Sequence, residues 1–322
     1  FDQIKMTQSD DIILGASPGN IASAAAMIRD GKRVAFSTET VYGLGADATN
    51  DEAIAGIFEA KGRPSFNPLI VHFINTAQVA NVVDFSETAT VLGEAFWPGA
   101  LTLVLKRKID CPVSLLASAG LETLAVRVPS HPLAHEFLKQ ARAPVAAPSA
   151  NRSGQISPTT AEHVFESLGD KVDAILDGGP CAVGLESTII DLSCDTPTLL
   201  RPGGIAREEI EAVIGPLEVS DGSDDAPRSP GMLSRHYAPS IPIRLNADKA
   251  NDGEAFLAFG VGTDAADVNL SQSGNLVEAA ANLFAMLRML DQTKYNGIAV
   301  MKIPDSGLGI AINDRLERAA TS

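Results

Sequence analysis

Cysteine, histidine, aromatic side chains and positive charge are all scarce in this chain of 322 residues. Its three cysteines, Cys111, Cys181 and Cys194, cannot all pair and form no C-x-x-C. That excludes a disulfide scaffold and suits small buried thiols in a reducing compartment. Lys and Arg number 25 against 40 Asp and Glu, a formal net charge of −15. A nucleic-acid backbone or an anionic membrane therefore exerts no long-range attraction, and any bound anion needs a local basic pocket. Long apolar runs are missing as well. The longest uncharged stretch, Ile12 to Ile28, is interrupted by Ser17-Pro18-Gly19-Asn20. Neither a membrane span nor an export signal is expected from it, and the expected location is cytoplasmic.

Common catalytic signatures are absent too. There is no G-x-x-x-x-G-K-[ST] loop, no G-x-S-x-G elbow and no G-x-G-x-x-G after a strand, which argues against a Walker-type NTPase, an α/β-hydrolase and a dinucleotide enzyme. His131 and His135 stand at metal-ligand spacing. With no Glu after the first and Pro132 between them, a surface or capping role is the expectation.

What is present is an alternation of short apolar runs and helical patterns. Strands are expected at Val34–Ser37, Leu69–Phe73, Leu101–Leu105, Leu124–Val128, Val145–Ala147 and Thr188–Leu192. Helices are expected over 20–30, over 51–60 behind an Asn50 cap, and over 159–168. The acidic, Pro/Gly-punctuated stretch Asp221 to Gly231 has linker composition. Beyond it, strands at Ile241–Leu245, Ala255–Phe259 and Ile298–Ile303 flank a helix over 275–290, a second and smaller α/β unit.

Polar, Gly/Pro-rich segments directly after strands are the candidate ligand-binding places. Ser37 to Gly45 is one, read either as a ligand loop or as a plain hairpin. Lys61-Gly62-Arg63-Pro64 with Asn67 is another, able to clamp a phosphate or merely to end a helix with cations. Pro148-Ser149-Ala150-Asn151 leads toward the helix start at Thr159-Thr160, a possible anion seat. Arg127 and Arg201 stand on otherwise apolar strands, where an arginine is costly unless salt-bridged or ligand-facing. Lys61, Arg63, His72, Arg127 and Arg201 together predict a basic cleft for a phosphorylated small molecule.

These segments together resemble the YrdC/Sua5 family. The resemblance rests on Thr38 to Gly45, Lys61-Gly62-Arg63-Pro64 with Asn67-Pro68-Leu69, Trp97-Pro98-Gly99 with Thr102, and Ser149-Ala150-Asn151. The run Ser229 to Pro239 is similar to the linker of the longer, Sua5 type. The implied fold is α/β: a YrdC-like twisted mixed-sheet domain with a large open cleft (1–217), a linker acting as a lid (218–240), and a smaller Rossmann-like α/β C-terminal domain (241–322). The implied activity joins L-threonine, bicarbonate or CO2, and ATP into threonylcarbamoyl-AMP and pyrophosphate, with Mg2+ accompanying ATP and no organic cofactor. The product would pass to the tRNA threonylcarbamoyl-transferase machinery for t6A in ANN-decoding tRNAs. No membrane contact and no stable nucleic-acid binding are expected.

Carried over residue by residue, the Lys-x-Arg…Ser-x-Asn signature is Lys61, Arg63, Ser149 and Asn151. L-Threonine would meet Thr40, His72, Arg127, Ala147 and Ser187. ATP would meet Arg63, Asn67, Thr123, Ser149, Ser157, Arg201 and Tyr237, and no metal ligands are identified. Two rival readings remain: a carbamoyl adenylate-forming enzyme of the hydrogenase-maturation type, whose zinc-finger-like cysteines this chain lacks, and a double-stranded RNA-binding module, which suits an acidic chain with 5% aromatic residues poorly.

Overall fold

The β-branched runs become the middle of one large sheet. The structure, a computed structural model, describes residues 12–220, 236–262 and 266–321. The acidic stretch 221–231 and most of the Ser229–Pro239 motif lie outside the described residues.

In chain order the first part comprises β1 (Ile13–Gly15), α1 (Pro18–Arg29), β2 (Val34–Phe36), β3 (Gly43–Asp47), α2 (Asp51–Lys61), β4 (Ile70–His72), α3 (Thr76–Val82) and α4 (Glu87–Phe96). There follow β5 (Leu101–Lys106), β6 (Thr123–Arg127), α5 (Pro132–Ala141), β7 (Val145–Ala146), α6 (Ala161–Leu168) and β8 (Ala174–Asp177). Last come β9 (Thr188–Asp191), β10 (Thr198–Arg201), α7 (Arg207–Ile214) and β11 (Glu218–Val219). The sheet has 11 strands in the order β1-β8-β2-β3-β7-β4-β6-β5-β9-β10-β11. Parallel and antiparallel pairs alternate irregularly, β4 running parallel to β6 and antiparallel to β7.

Local chemistry accounts for the helix ends. Asn50 caps α2, its side chain accepting from the backbone N–H of Glu52 and Ala53, and the helix stops at Gly62. Helix α1 starts earlier than periodicity suggested, because Ser17 caps it and Pro18 occupies the first turn, where a missing N–H costs nothing. His131 is the N-cap of α5, its Nδ1 accepting from Leu133 N–H, so the capping role holds. The cysteines fit the expectation only in part. Cys181 is buried, Cys111 is half-buried and Cys194 is exposed, beyond the end of β9 where the strand has already left the core.

The segment Ser37–Gly45 proves to be both loop and hairpin. Residues 37–42 are irregular, while Gly43–Asp47 is a strand antiparallel to β2. A Cβ on Gly45 would sit 2.9 Å from both Phe36 and Val145 side chains, so glycine here permits close strand packing.

The second part is a four-stranded parallel sheet in the order β12-β15-β13-β14. Its elements are β12 (Ile243–Arg244), β13 (Glu254–Ala258), β14 (Val268–Asn269), α8 (Leu276–Leu290), β15 (Gly297–Val300) and α9 (Leu308–Ala320). Ala280, Leu283, Leu287 and Leu290 of α8 are buried along one stripe, as the spacing predicts. Val41, Ile156 and Leu185 of the first part belong to the same apolar cluster, so the two parts are joined by an apolar contact. No helix among the described residues is long and apolar enough to cross a membrane.

Candidate active site

A cleft of about 520 Å³, its open mouth included, lies over the middle of the large sheet. The parallel register of β4 and β6 sets His72 beside Arg127, and β7 runs past β4 into Ala147-Pro148-Ser149. Thr40, Arg63, His72, Arg127, Ala147, Ser149, Ser187, Arg201 and Tyr237 all line this cleft. Four other expected residues stand just behind it, three of them holding a lining group through their side chains and Asn151 fixing the loop that follows Ser149. The Lys61 ammonium donates to the carbonyls of Ser149 and Asn151. Asn67 accepts from Arg63 Nη2 at 2.7 Å. Asn151 donates to the carbonyls of Arg152 and Gln155, and Ser157 donates to Glu186 at 2.6 Å.

Thr123 is not brought to the cleft wall. It opens β6, four residues before Arg127, and lines a separate shallow depression with Lys106 and Glu122. A residue assigned by spacing along an extended strand is displaced about 3.3 Å for every position of error.

One half of the cleft is a hydroxyl and guanidinium cluster. Arg127 donates to the Thr40 hydroxyl at 2.9 Å, to the Gly99 carbonyl at 3.2 Å and to the Glu39 carboxylate. Burial pushes Glu39 up, but the charge and hydrogen bonds of Arg127 outweigh it and hold the carboxyl below its usual range. Burial, then the charge of Arg127, lowers His72 to about 3, so the ring is neutral at physiological pH, and its Nδ1 has no hydrogen-bond partner among the described residues. The sequence reading counted His72 among the cations of a basic cleft; desolvation removes it from that set. Across the cleft, Ser187 shares a 2.7 Å hydrogen bond with Thr102 and takes contacts from Arg201 through its carbonyl and hydroxyl.

The other half is cationic. Lys61 and Arg63 are buried, and no carboxylate among the described residues lies within ion-pair reach of either. Arg63 is held by the Asn67 and Pro68 carbonyls instead. Burial and the charge of Arg201 lower Arg63 to about 9, and burial with Arg63 nearby lowers Lys61 well below its ordinary value. Buried positive charge compensated only by dipoles is an anion receptor. Tyr237 closes this half. It is 1% exposed, adopts the left-handed backbone conformation (φ 62), and its hydroxyl has no hydrogen-bond partner among the described residues. Gln155 bridges Ala238, fastening the chain on its far side.

Sequence reasoning missed Glu186 and His236, which also line the cleft, and Glu39, which neutralises Arg127. Glu186 and His236 stand next to chosen residues, and a buried carboxylate beside an expected anion site gave no reason to be picked. No group of three His, Cys, Asp or Glu side chains among the described residues is arranged to hold a metal. The cleft carboxylates Glu39 and Glu186 are both engaged by arginines.

A family model for the Sua5/YciO/YrdC domain, described as telomere recombination, matches residues 26–203. A second, described as the threonylcarbamoyl-AMP synthase C-terminal domain, matches residues 205–321. The threonylcarbamoyl-AMP synthase of Bacillus subtilis is 44% identical over 95% of this chain and 94% of its own length. That of Pyrococcus abyssi is 42% identical over 93% and 94%. The crystal structure of P. abyssi Sua5 complexed with L-threonine superposes with a TM-score of 0.89 at 41% identity, covering 96% of this chain and 97% of that one. With one cleft in the large sheet and a second α/β part docked against it, the chain belongs to the Sua5/YciO/YrdC family, in the branch that carries the threonylcarbamoyl-AMP synthase C-terminal domain.

Proposed function

We propose that this chain forms threonylcarbamoyl-AMP and pyrophosphate from L-threonine, bicarbonate or CO2, and ATP. The observation that carries the reading is a cleft with two unlike halves: hydroxyls, a neutral imidazole and a guanidinium on one side, and on the other Lys61 and Arg63, buried without a carboxylate in reach among the described residues. In the neighbouring P. abyssi structure the bound molecule is L-threonine. Here Arg127 would take its carboxylate, and Thr40, His72, Ser187 and the Ala147 backbone its remaining polar groups. The nucleotide would lie along Arg63, Ser149, Arg201 and Tyr237, with Lys61 and the Asn151 backbone fixing Ser149, Asn67 fixing Arg63, and Ser157 holding the neighbouring Glu186 carboxylate. Thr123 has no contact with this cleft and is the weakest of the assignments.

The threonine amine adds to CO2, losing a proton to give a carbamate. One carbamate oxygen then attacks the α-phosphorus, the bond to the β-phosphate oxygen breaks, and pyrophosphate leaves. No enzyme nucleophile is required; the chain contributes orientation and positive charge against the crowded phosphoryl oxygens. A ring lowered to about 3 is a poor acceptor for an ammonium proton, so His72 orients the amino acid rather than deprotonating it. Mg2+ enters as the companion of ATP, held mainly by phosphates and water, as this ion commonly is. The product is a mixed anhydride suited to acylating tRNA for t6A, in the cytoplasm.

Pyrophosphate release is to be measured with threonine, bicarbonate and ATP omitted in turn. Release that requires all three is the expected result. Release without threonine, or none with all three present, overturns the reading. A full-length HypF structure, 19% identical over 58% of this chain, shows a shared fold alone and gives no support for carbamoyl phosphate as substrate.

A further inference from the structure

Among the described residues, the largest fully buried side chain is a charged one supplied by the second part. Arg315, on the last helix, is fully buried. Its Nε donates to Glu186 Oε2 at 2.9 Å and its Nη2 to the Pro202 carbonyl at 2.9 Å. Its remaining arm meets Asp314, which Arg318 braces at 3.0 Å. The guanidinium also stands 5.1 Å from the centre of the Tyr237 ring. Glu186 lines the cleft and takes the Ser157 hydroxyl on its other oxygen at 2.6 Å.

A buried carboxylate on the wall of a triphosphate site would repel its ligand and draw Arg201 toward itself. We propose that Arg315 is a positioning residue for the nucleotide: by neutralising Glu186 and bracing Tyr237, it keeps uncompensated negative charge off the cleft wall and makes ATP binding depend on the docked second part. Two groups on the cleft wall, Glu186 and Tyr237, converge on this one side chain from different segments. A helix surface contact alone does not require that. The inference rests on the synthase reading for its substrate.

The test uses the full chain, with ATP affinity measured by calorimetry and turnover by pyrophosphate release. Arg315→Met is expected to weaken ATP binding at least tenfold while threonine affinity changes less than threefold. Adding Glu186→Gln to Arg315→Met is expected to recover most of the loss, because the uncompensated carboxylate is gone. ATP affinity within twofold of wild type in Arg315→Met overturns the inference, as does a double variant no better than the single. If Arg315→Met does not fold, Arg315→Lys keeps the charge but not the two-pronged reach, and an unchanged ATP affinity there overturns it equally. Wild-type chain that binds ATP without threonine-dependent release defeats the synthase reading, while the affinity series still decides the role of Arg315.

Discussion

At the residue scale, the cleft keeps cations where water cannot reach them. Arg63 has carbonyls for company and other cations for neighbours, so its removal relieves repulsion as it deletes a phosphate contact. Arg63→Ala is expected to lower kcat/KM for ATP by roughly 100-fold or more, with a melting temperature within a few degrees of wild type. A fully active variant contradicts the assignment. His72 makes a different demand. Its folded value of about 3 lies below the ordinary 6.5, so the unfolded chain takes up a proton first as pH falls. Stability present above pH 6.5 is thus lost progressively between 6.5 and 3, at about 1.4 kcal/mol for each unit of difference at most. Denaturation at pH 7 and pH 5 is expected to show a shallower loss for His72→Gln than for wild type; parallel slopes exclude it. Arg63, Ser149, Arg127 and Ser187 were legible in the sequence because their types and order are distinctive. Glu186 and Arg315 were not, since each is explained only by the other. On α9, Arg315 sits among Asp314, Glu317 and Arg318, which reads as a solvated helix face.

At the element scale, strand edges and tight crossings place these side chains. Most strands with β-branched or leucine-rich runs were legible to within two residues at each end, but the run Ile298–Ile303 stops at Val300 and the short apolar β8 was not picked out. β3 was not, because Gly43 and Gly45 look like loop while their lack of a Cβ lets three strands close together. The strands of two or three residues at the sheet edges, β1 and β11, carry too little pattern to stand out. Gly203 follows the same steric logic at the site. A Cβ there would come within 2.4 Å of the Glu186 carbonyl and 2.5 Å of the Ser187 and Thr188 backbone. Backbone cannot rotate away as a side chain can, so Gly203→Ala is expected to cost about 1–3 kcal/mol and to raise KM for threonine and for ATP by moving Ser187 and Arg201. Wild-type melting and kinetics in this variant show that the crossing is slack.

At the scale of the whole molecule, the two parts are halves of one functional object. Val41, Ile156 and Leu185 would be laid bare without the second part, and Glu186 would lose its partner. A chain ending at residue 220 is therefore expected to melt lower, to associate through the uncovered apolar face and to lose ATP-dependent turnover. Normal turnover by that fragment rules out a contribution from the second part. The two-part plan was legible from the linker composition and the strand–helix order. Their docking was not, because an apolar stripe names no partner.

Lys61 and Arg63, buried with no carboxylate in reach among the described residues, have a kinetic consequence. They lie inside a molecule whose formal charge is −15, so ATP meets repulsion at a distance and attraction only at the end of its approach. Added salt screens the long-range repulsion over about 8–10 Å while reaching the buried cations much less. Raising ionic strength from low values is then expected to speed ATP association, the reverse of the behaviour of a protein with a basic exterior, even where the equilibrium affinity hardly changes. Stopped-flow association rates measured across a salt series decide the point, and a rate that falls steadily with salt shows that the exterior does not govern the encounter.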